Sequence, residues 1–254
     1  MLVSHVLQRN GAWLAAHDDE ALSSEEQQRI EALAARRAAG EPMAYLLGGR
    51  EFFGRMFRCT PAALIPRPET EHLVEHALTL VETYTESTIL DVGTGTGCIA
   101  LTLAMERPNA RITALDVSPD ALALARDNGA NLRANNVEFF ESNWFGTLAT
   151  DAKFDLIVSN PPYIVPGDVH LTQGDLRFEP AIALADAVDG LESYRQLTLG
   201  AMKHLKAGGW LVAEHGYDQG ESVPALLAAS GFTEVSTHCD LSGYPRVTAA
   251  RKPQ

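Results

Sequence analysis

T-I-L-D-V-G-T-G-T-G-C-I-A, residues 88–100, decides the fold. Its first five residues are apolar and β-branched enough for a buried strand, and the glycines end it. Gly93, Thr94, Gly95, Thr96 and Gly97 then make a loop that opens a helix at Cys98-Ile99-Ala100. Glycine lets such a loop turn tightly and lets a ligand approach the backbone. A helix start adds free N–H groups and a partial positive charge. The stretch reads as a nucleotide-binding turn, or as a strand–helix corner without a ligand. Gly95, Gly97 and Ala100 also fit G-x-G-x-x-A, so a nicotinamide-dependent reductase competes at this point.

The pattern continues outward. Apolar runs at 88–92, 111–116, 137–141 and 154–159 predict strands, and 97–106 and 119–134 predict helices. A helix near 190–206, a strand at 210–215, a helix near 219–230 and strands near 232–238 and 246–251 follow. This alternation predicts an α/β fold, a Rossmann-like, mostly parallel sheet with helices on both faces. The short link Asp240 to Pro245 predicts an antiparallel hairpin at one edge.

Upstream, residues 1–40 read as helical. Leu2, Val3, Val6 and Leu7 share a face, and Asn10-Gly11 ends that segment. Ser24 with Gln27 resembles a capping box, and Gly40 and Pro42 stop the helix that follows. Residues 43–66 read as a short hairpin or an irregular linker, and 68–84 as a helix. The expected organisation is a helical N-terminal domain over 1–42, the hairpin or linker over 43–66, and the α/β domain over 67–254.

Of 254 residues, 46% are hydrophobic, and the net charge is −13. That balance argues against broad binding to nucleic-acid phosphates, which needs a positive surface. Three dispersed cysteines without a C-x-x-C spacing argue against a disulfide framework or a thiolate zinc site. No apolar run reaches the roughly 18 residues of a membrane span. With no secretory layout at the N-terminus, the expected location is cytoplasmic.

Chemistry concentrates at strand ends. Asp116 ends the second strand at a distance suited to gripping ribose hydroxyls, and it also suits a cap for the helix after Ser118. Trp144, after the third strand, suits either an adenine neighbour or a core aromatic. The fourth strand runs into Asn160-Pro161-Pro162-Tyr163. Each proline holds the residue before it extended and donates no hydrogen bond. The Asn160 side-chain carbonyl, the Pro161 carbonyl and the face of Tyr163 would cradle a planar group ending in NH2. Orienting such a weak nucleophile is worth up to about 7–11 kcal/mol of barrier. A methyl on a sulfonium at the glycine loop is the matching electrophile.

G-T-G-T-G at 93–97 with N-P-P-Y at 160–163 resembles the class I S-adenosylmethionine methyltransferases that act on amide or exocyclic amino nitrogens. Residues 41–75 and G-D-L-R-F-E-P at 174–180 are similar to the PrmC/HemK family, over nearly the whole chain. The resemblance implies a seven-stranded domain behind small N-terminal helices, with Gly93 to Gly97, Asp116, Trp144 and Asn160 on the cofactor. It implies that Asn160, Pro161, Pro162 and Tyr163 hold the glutamine amide of the Gly-Gly-Gln motif of release factors 1 and 2. Catalysis would rest on Asn160, Pro161 and Tyr163, with S-adenosyl-L-homocysteine as product and no metal. Ile65 to Glu71 and Arg177 to Pro180 would shape the wall. A monomer that touches neither nucleic acid nor membrane is expected. The family usually carries another helical stretch before the equivalent of Leu2 to Leu7, so either a truncated start or a reduced N-terminal domain is expected.

Two enzyme rivals share the logic of the site: a ribosomal-protein glutamine methyltransferase, and a DNA or RNA adenine-N6 methyltransferase acting on a flipped base. A binding module without catalysis would show a damaged N-P-P-Y, which is intact here. His72 to His76 matches the zinc-peptidase pattern H-x-x-E-H but offers no third ligand. His215 ends a strand near the cleft without an evident role.

Overall fold

The computed structural model describes residues 1–82, 85–186 and 188–254. Helices α1 (Leu2–Leu7) and α2 (Gly11–Ala16) open the chain. Asn10 does more than end the first segment, since its side chain caps α2 by accepting from Trp13 N–H at 2.8 Å. Helix α3 (Ser24–Ala38) is closed by a capping box one residue earlier than expected. Ser23 Oγ accepts from Glu26 N–H at 3.3 Å, and the Glu26 carboxylate accepts from Ser23 N–H at 2.9 Å. Both frames carry the right spacing. A carboxylate at the positive end of the helix gains from the dipole where a glutamine does not, which favours Ser23 over Ser24.

The segment read as a hairpin or linker is a short helix, α4 (Met43–Leu47), and then a hairpin, β1 (Gly49–Phe52) with β2 (Arg55–Arg58). Its turn places Phe53 and Gly54 at φ 52 and 73. Two left-handed residues in a row are the turn shape that matches the twist of paired strands. Phe52 and Phe57 meet edge to face at 6.0 Å and are buried in the core of the main domain.

Helix α5 (Thr70–Leu80) follows, and residues 83–84 of the predicted helix lie outside the described residues. Then come β3 (Thr88–Val92), α6 (Cys98–Glu106), β4 (Arg111–Asp116), α7 (Pro119–Leu132), β5 (Val137–Glu141) and β6 (Phe154–Ser159). The chain closes with α8 (Ala181–Leu184), α9 (Glu192–His204), β7 (Leu205–Glu214), α10 (Ser222–Ala229), β8 (Thr233–Cys239) and β9 (Pro245–Arg251). Strand β7 begins at Leu205 rather than 210. Leu205 pairs with Phe154 before an irregularity, and the ladder resumes at Leu156 with Trp210, so the glycines at 208–209 interrupt the strand without ending it.

The seven strands run in the order β5-β4-β3-β6-β7-β9-β8. Every pairing from β5 to β7 is parallel, and β9 is antiparallel to both neighbours. Side chains alternate across the sheet, so Ile89 joins Leu73, Leu101 and Leu156 on one face while Leu90 joins Ile157, Leu197 and Leu227 on the other. Chain order reverses between β3 and β6, which leaves a crevice at their carboxyl ends. Among the described residues no helix is long and apolar enough to cross a membrane.

Phe57 has no exposed surface. Phe57→Ala should therefore cost about 3–5 kcal/mol of the main domain's stability, read as a drop in its urea midpoint. A near-zero loss would make the hairpin a detached linker.

Candidate active site

The crevice at the switch point is floored by the glycine loop. Gly93 N–H and Thr94 N–H both donate to Leu115 O at 2.9 Å, which binds the loop to the end of β4. Gly97 caps α6 at φ 82, and a Cβ there would stand 2.9 Å from Leu101 Cδ1 and 3.2 Å from Ala125 Cβ. Only glycine meets both demands. Gly97 does not line the cavity, so its work is to shape the turn.

Asp116 is not the cap. Its Oδ2 accepts from Gly95 N–H at 2.8 Å and its Oδ1 from Ser118 N–H at 2.9 Å, while the cap of α7 is Ser118 itself. Burial raises its pKa above the usual carboxylate value. The carboxylate keeps lone pairs for a further donor. A cavity of about 420 Å³ joins Gly93, Thr94, Gly95 and Thr96 to Asp116, Trp144, Asn160, Pro161 and Pro162. Trp144 lines it and also packs on the core. Tyr163 stands outside. It lines a smaller adjoining cavity of about 130 Å³ with Asn160, Pro161, Pro162, Arg67 and Glu214. Burial pushes its phenol up to about 12, so it stays neutral.

Ser159 Oγ donates to Val92 O at 2.7 Å and so ties the ends of β6 and β3 together. Asn160 Nδ2 donates to Thr70 Oγ1 at 3.2 Å. The wall expected from 65–71 and 177–180 is held by buried Glu179, which pairs with Arg67 and accepts from Ile65 N–H at 2.8 Å. Arg177 turns the other way and donates to Ala39 O at 2.9 Å, beside an Arg37–Asp175 ion pair at 2.8 Å. These two contacts bind the wall segment to the N-terminal helices.

Two contributors escaped the sequence reading, and a third, Thr70, lay unnamed within the 65–71 wall. Asn128 on α7 donates to Thr96 O at 2.9 Å and accepts from Arg58 N–H at 2.9 Å, joining the hairpin to the loop. An asparagine inside a helix is a poor helix former, and that was the available signal. Thr70 and Glu214 gave only the weaker sign of polar residues bordering apolar runs. His215 lines neither cavity, contrary to its suggested place at the cleft. It is buried between Thr248 Oγ1 and Gly216 O, at 2.9 Å from each. In H-x-x-E-H, His72 meets Glu75 at 3.1 Å and the His76 ring lies tilted against that of His238 with centroids 3.9 Å apart. Among the described residues no three ligand-type side chains are grouped to hold a metal.

The donor set fits S-adenosylmethionine. Backbone N–H groups at the start of α6, a carboxylate at the end of β4 and a buried Thr96 Oγ1 lacking a partner among the described residues converge on one cavity. Buried Asp91 lies beneath them. Its Oδ2 accepts from the Thr94 hydroxyl at 2.7 Å, and its Oδ1 has no partner among the described residues. Burial raises this carboxyl from 3.8 to about 7. Because the folded value is the higher one, its contribution to stability is complete below 3.8 and is lost as pH rises through about 7. Asp91→Asn should therefore flatten the decline in stability across that window, measured as urea midpoints at a series of pH values. An unchanged slope would clear Asp91 of any part in it.

Two family models match the chain: the PrmC N-terminal domain over residues 1–48 and the methyltransferase small domain over residues 69–217. The release factor glutamine methyltransferase of Neisseria gonorrhoeae is 48% identical over 99% of this chain and 91% of its own length. That of Bordetella pertussis is 48% identical over 98% of this chain and 92% of its own. Among solved structures, a methyltransferase from Pyrococcus furiosus superposes with a TM-score of 0.59 at 20% identity, covering 87% of this chain and 98% of that one, which shows a shared fold. Helices, hairpin and sheet all fall within these matches, and the chain belongs to the PrmC family of release factor glutamine methyltransferases.

Proposed function

We infer that this chain methylates the side-chain amide nitrogen of the glutamine in the Gly-Gly-Gln motif of peptide-chain release factors. The observation that carries the reading is the single cavity that joins the glycine loop to Asn160-Pro161-Pro162. S-adenosylmethionine, when bound, supplies an electrophilic methyl and becomes S-adenosyl-L-homocysteine. The protein's share is binding and orientation. Gly93 to Thr96 and Asp116 hold the nucleoside and amino-acid ends, with Trp144 along one side. Gly97 supports them through the turn alone.

An amide nitrogen attacks poorly because its lone pair is shared with the carbonyl. Asn160 Oδ1 and the Pro161 carbonyl accept its two hydrogens and so turn its lone pair towards the methyl. The same acceptors stabilise the positive charge that nitrogen gains, until one of its two hydrogens leaves as a proton to solvent and the neutral N-methyl amide remains. Pro161 and Pro162 keep the strand end from relaxing into a helix, which would turn those carbonyls away. Tyr163, from the adjoining cavity, supports one face of the amide.

Residues 1–42 and the hairpin segment 43–66 precede the catalytic domain at 67–254, and the release factor docks where the N-terminal helices meet the 164–180 segment. The Arg37–Asp175 and Arg177–Ala39 contacts support that site. Release factors work on ribosomes, and a cytoplasmic reaction follows from that substrate.

Incubating a purified release factor with this protein and S-adenosylmethionine should add one methyl to the Gly-Gly-Gln glutamine, seen by intact mass and peptide mapping. Asn160→Ala should abolish the transfer and leave the fold intact. Retained activity would defeat the amide cradle. Asp116→Ala should weaken cofactor binding roughly 10-fold or more, a loss of about 1.4 kcal/mol, by calorimetry. Equal affinity would reduce Asp116 to a tie for the loop.

A further inference from the structure

The reaction as described leaves a buried acid unused. Glu214 ends β7, beside β6, and is only 2% exposed. It lines the smaller cavity with Asn160, and its Oε2 has no partner among the described residues. Thr70, the first residue of α5, is also 2% exposed and accepts from Asn160 Nδ2 at 3.2 Å. Burial raises the Glu214 carboxyl to about 7, against Thr70, Arg246 and Asn160, which favour its ionised form. Three polar side chains from three elements thus meet behind the strand end that carries Asn160.

Hydrogen-bond chemistry allows one arrangement of this chain. An ionised carboxylate only accepts, a hydroxyl donates one hydrogen, and an amide has an accepting and a donating end. With Glu214 ionised, the Thr70 hydroxyl turns its hydrogen to the carboxylate and its lone pairs to Asn160. The Asn160 NH2 must then face Thr70 and Glu214, and Oδ1, at the other end of the same planar group, faces away. We propose that Glu214, acting through Thr70, is a positioning residue that holds Asn160 with Oδ1 towards the substrate amide and Nδ2 behind it. The proposal rests on the reading of Asn160 as the group that accepts from the glutamine NH2. A flipped Asn160 would set NH2 against NH2.

The device has a pH dependence. Protonated Glu214 donates to Thr70, whose own hydrogen is then free for Asn160 Oδ1, and the flipped amide is equally satisfied. Methyl transfer should fall as pH drops through about 7. The other groups facing Glu214 are Arg246 on β9, Glu69 ahead of α5, Tyr163 after β6, Tyr194 on α9 and Cys98 on α6. Burial holds both tyrosines and the thiol neutral through that window, and it lowers the pKa of neighbouring His215.

The test compares wild type with Glu214→Leu, Glu214→Gln, Thr70→Val and Thr70→Ser. Release-factor methylation is followed from about pH 6 to 9, and cofactor affinity and melting temperature are measured alongside. Separately, the side-chain ¹⁵N–¹H signals of Asn160 are recorded in the unliganded protein, assigned with Asn160→Ala. Glu214→Leu and Thr70→Val should lower kcat roughly 100-fold, the scale of an ångström-sized misplacement. Cofactor affinity should hold, and removing a buried acid should leave the melting temperature equal or higher. Thr70→Ser should keep wild-type kcat, and Glu214→Gln should remove the acid-side fall in rate. The Asn160 signals should titrate near pH 7 in wild type only. Wild-type kcat in Glu214→Leu, or Asn160 signals indifferent to residue 214, would overturn the proposal. An unmethylated release factor with wild-type protein, beside Asn160 signals that still answer to Glu214, would remove the substrate reading and keep the positioning role.

Discussion

The parallel pairing of β3 with β6 is the constraint on which the rest depends. Ile89 lies opposite Leu156, Leu90 opposite Ile157 and Asp91 opposite Val158. Sixty-odd residues of chain separate the two strands, yet this register delivers Gly93 and Asn160 to the same edge of the sheet. Ser159 Oγ on Val92 O locks the ends together. A slip of one residue would turn every side chain of β6 to the opposite face, burying the wrong set and moving the strand end along the crevice. Core packing and the meeting of the two half-sites are therefore one event, because the pairing that buries Leu156 and Ile157 also aligns the loop with the asparagine.

That alignment is maintained against an energetic cost. Asp91 and Glu214 are both buried carboxyls near the ends of central strands, and each has an oxygen without a partner among the described residues. A core built for stability alone would place apolar side chains at such positions. The rigidity of the surroundings makes the cost tolerable. Asp91 is gripped by Thr94 and sits under a loop pinned to Leu115, and Glu214 ends the long strand β7 between β6 and β9. Unused hydrogen-bonding capacity next to a cavity marks where the fold gives up stability to hold something else in place.

Much of this was legible in the sequence because it is local. Strand, glycine loop and helix follow one another within 88–106, and Asn160 is followed at once by the prolines that hold it. Period and punctuation suffice for such elements. The misses are of another kind. The Ser24 frame failed because two spacings coincide and the choice between them is electrostatic. Leu205 and Lys206 fall within the helix expected near 190–206, because the paired glycines after them hide a strand that its neighbour completes. The turn at Gly97 and the second cavity beside Tyr163 are facts of three-dimensional shape that their motifs do not carry. Asn128, Thr70 and Glu214 lie on separate elements, and only pairing and packing bring them to the site.

The hairpin and the N-terminal helices extend the same reasoning outward. Phe52 and Phe57 anchor the hairpin in the main core, and Asn128 ties its second strand to Thr96 in the glycine loop. On the other side, Glu179 fastens the wall segment to Ile65 and Arg67, just past that hairpin, while Arg177 and Asp175 reach the end of α3. The chain from hairpin to α5 is thus attached both to the floor and to the rim of the cavity. The buried contacts there are apolar or pair a charge fully, but those from the wall segment to the end of α3 are one half-exposed ion pair and one carbonyl, each worth little alone. Stiffness should accordingly fall from the floor outward. That gradient suits a site whose small ligand needs fixed geometry and whose proposed docking face for a protein substrate is the wall and the N-terminal helices.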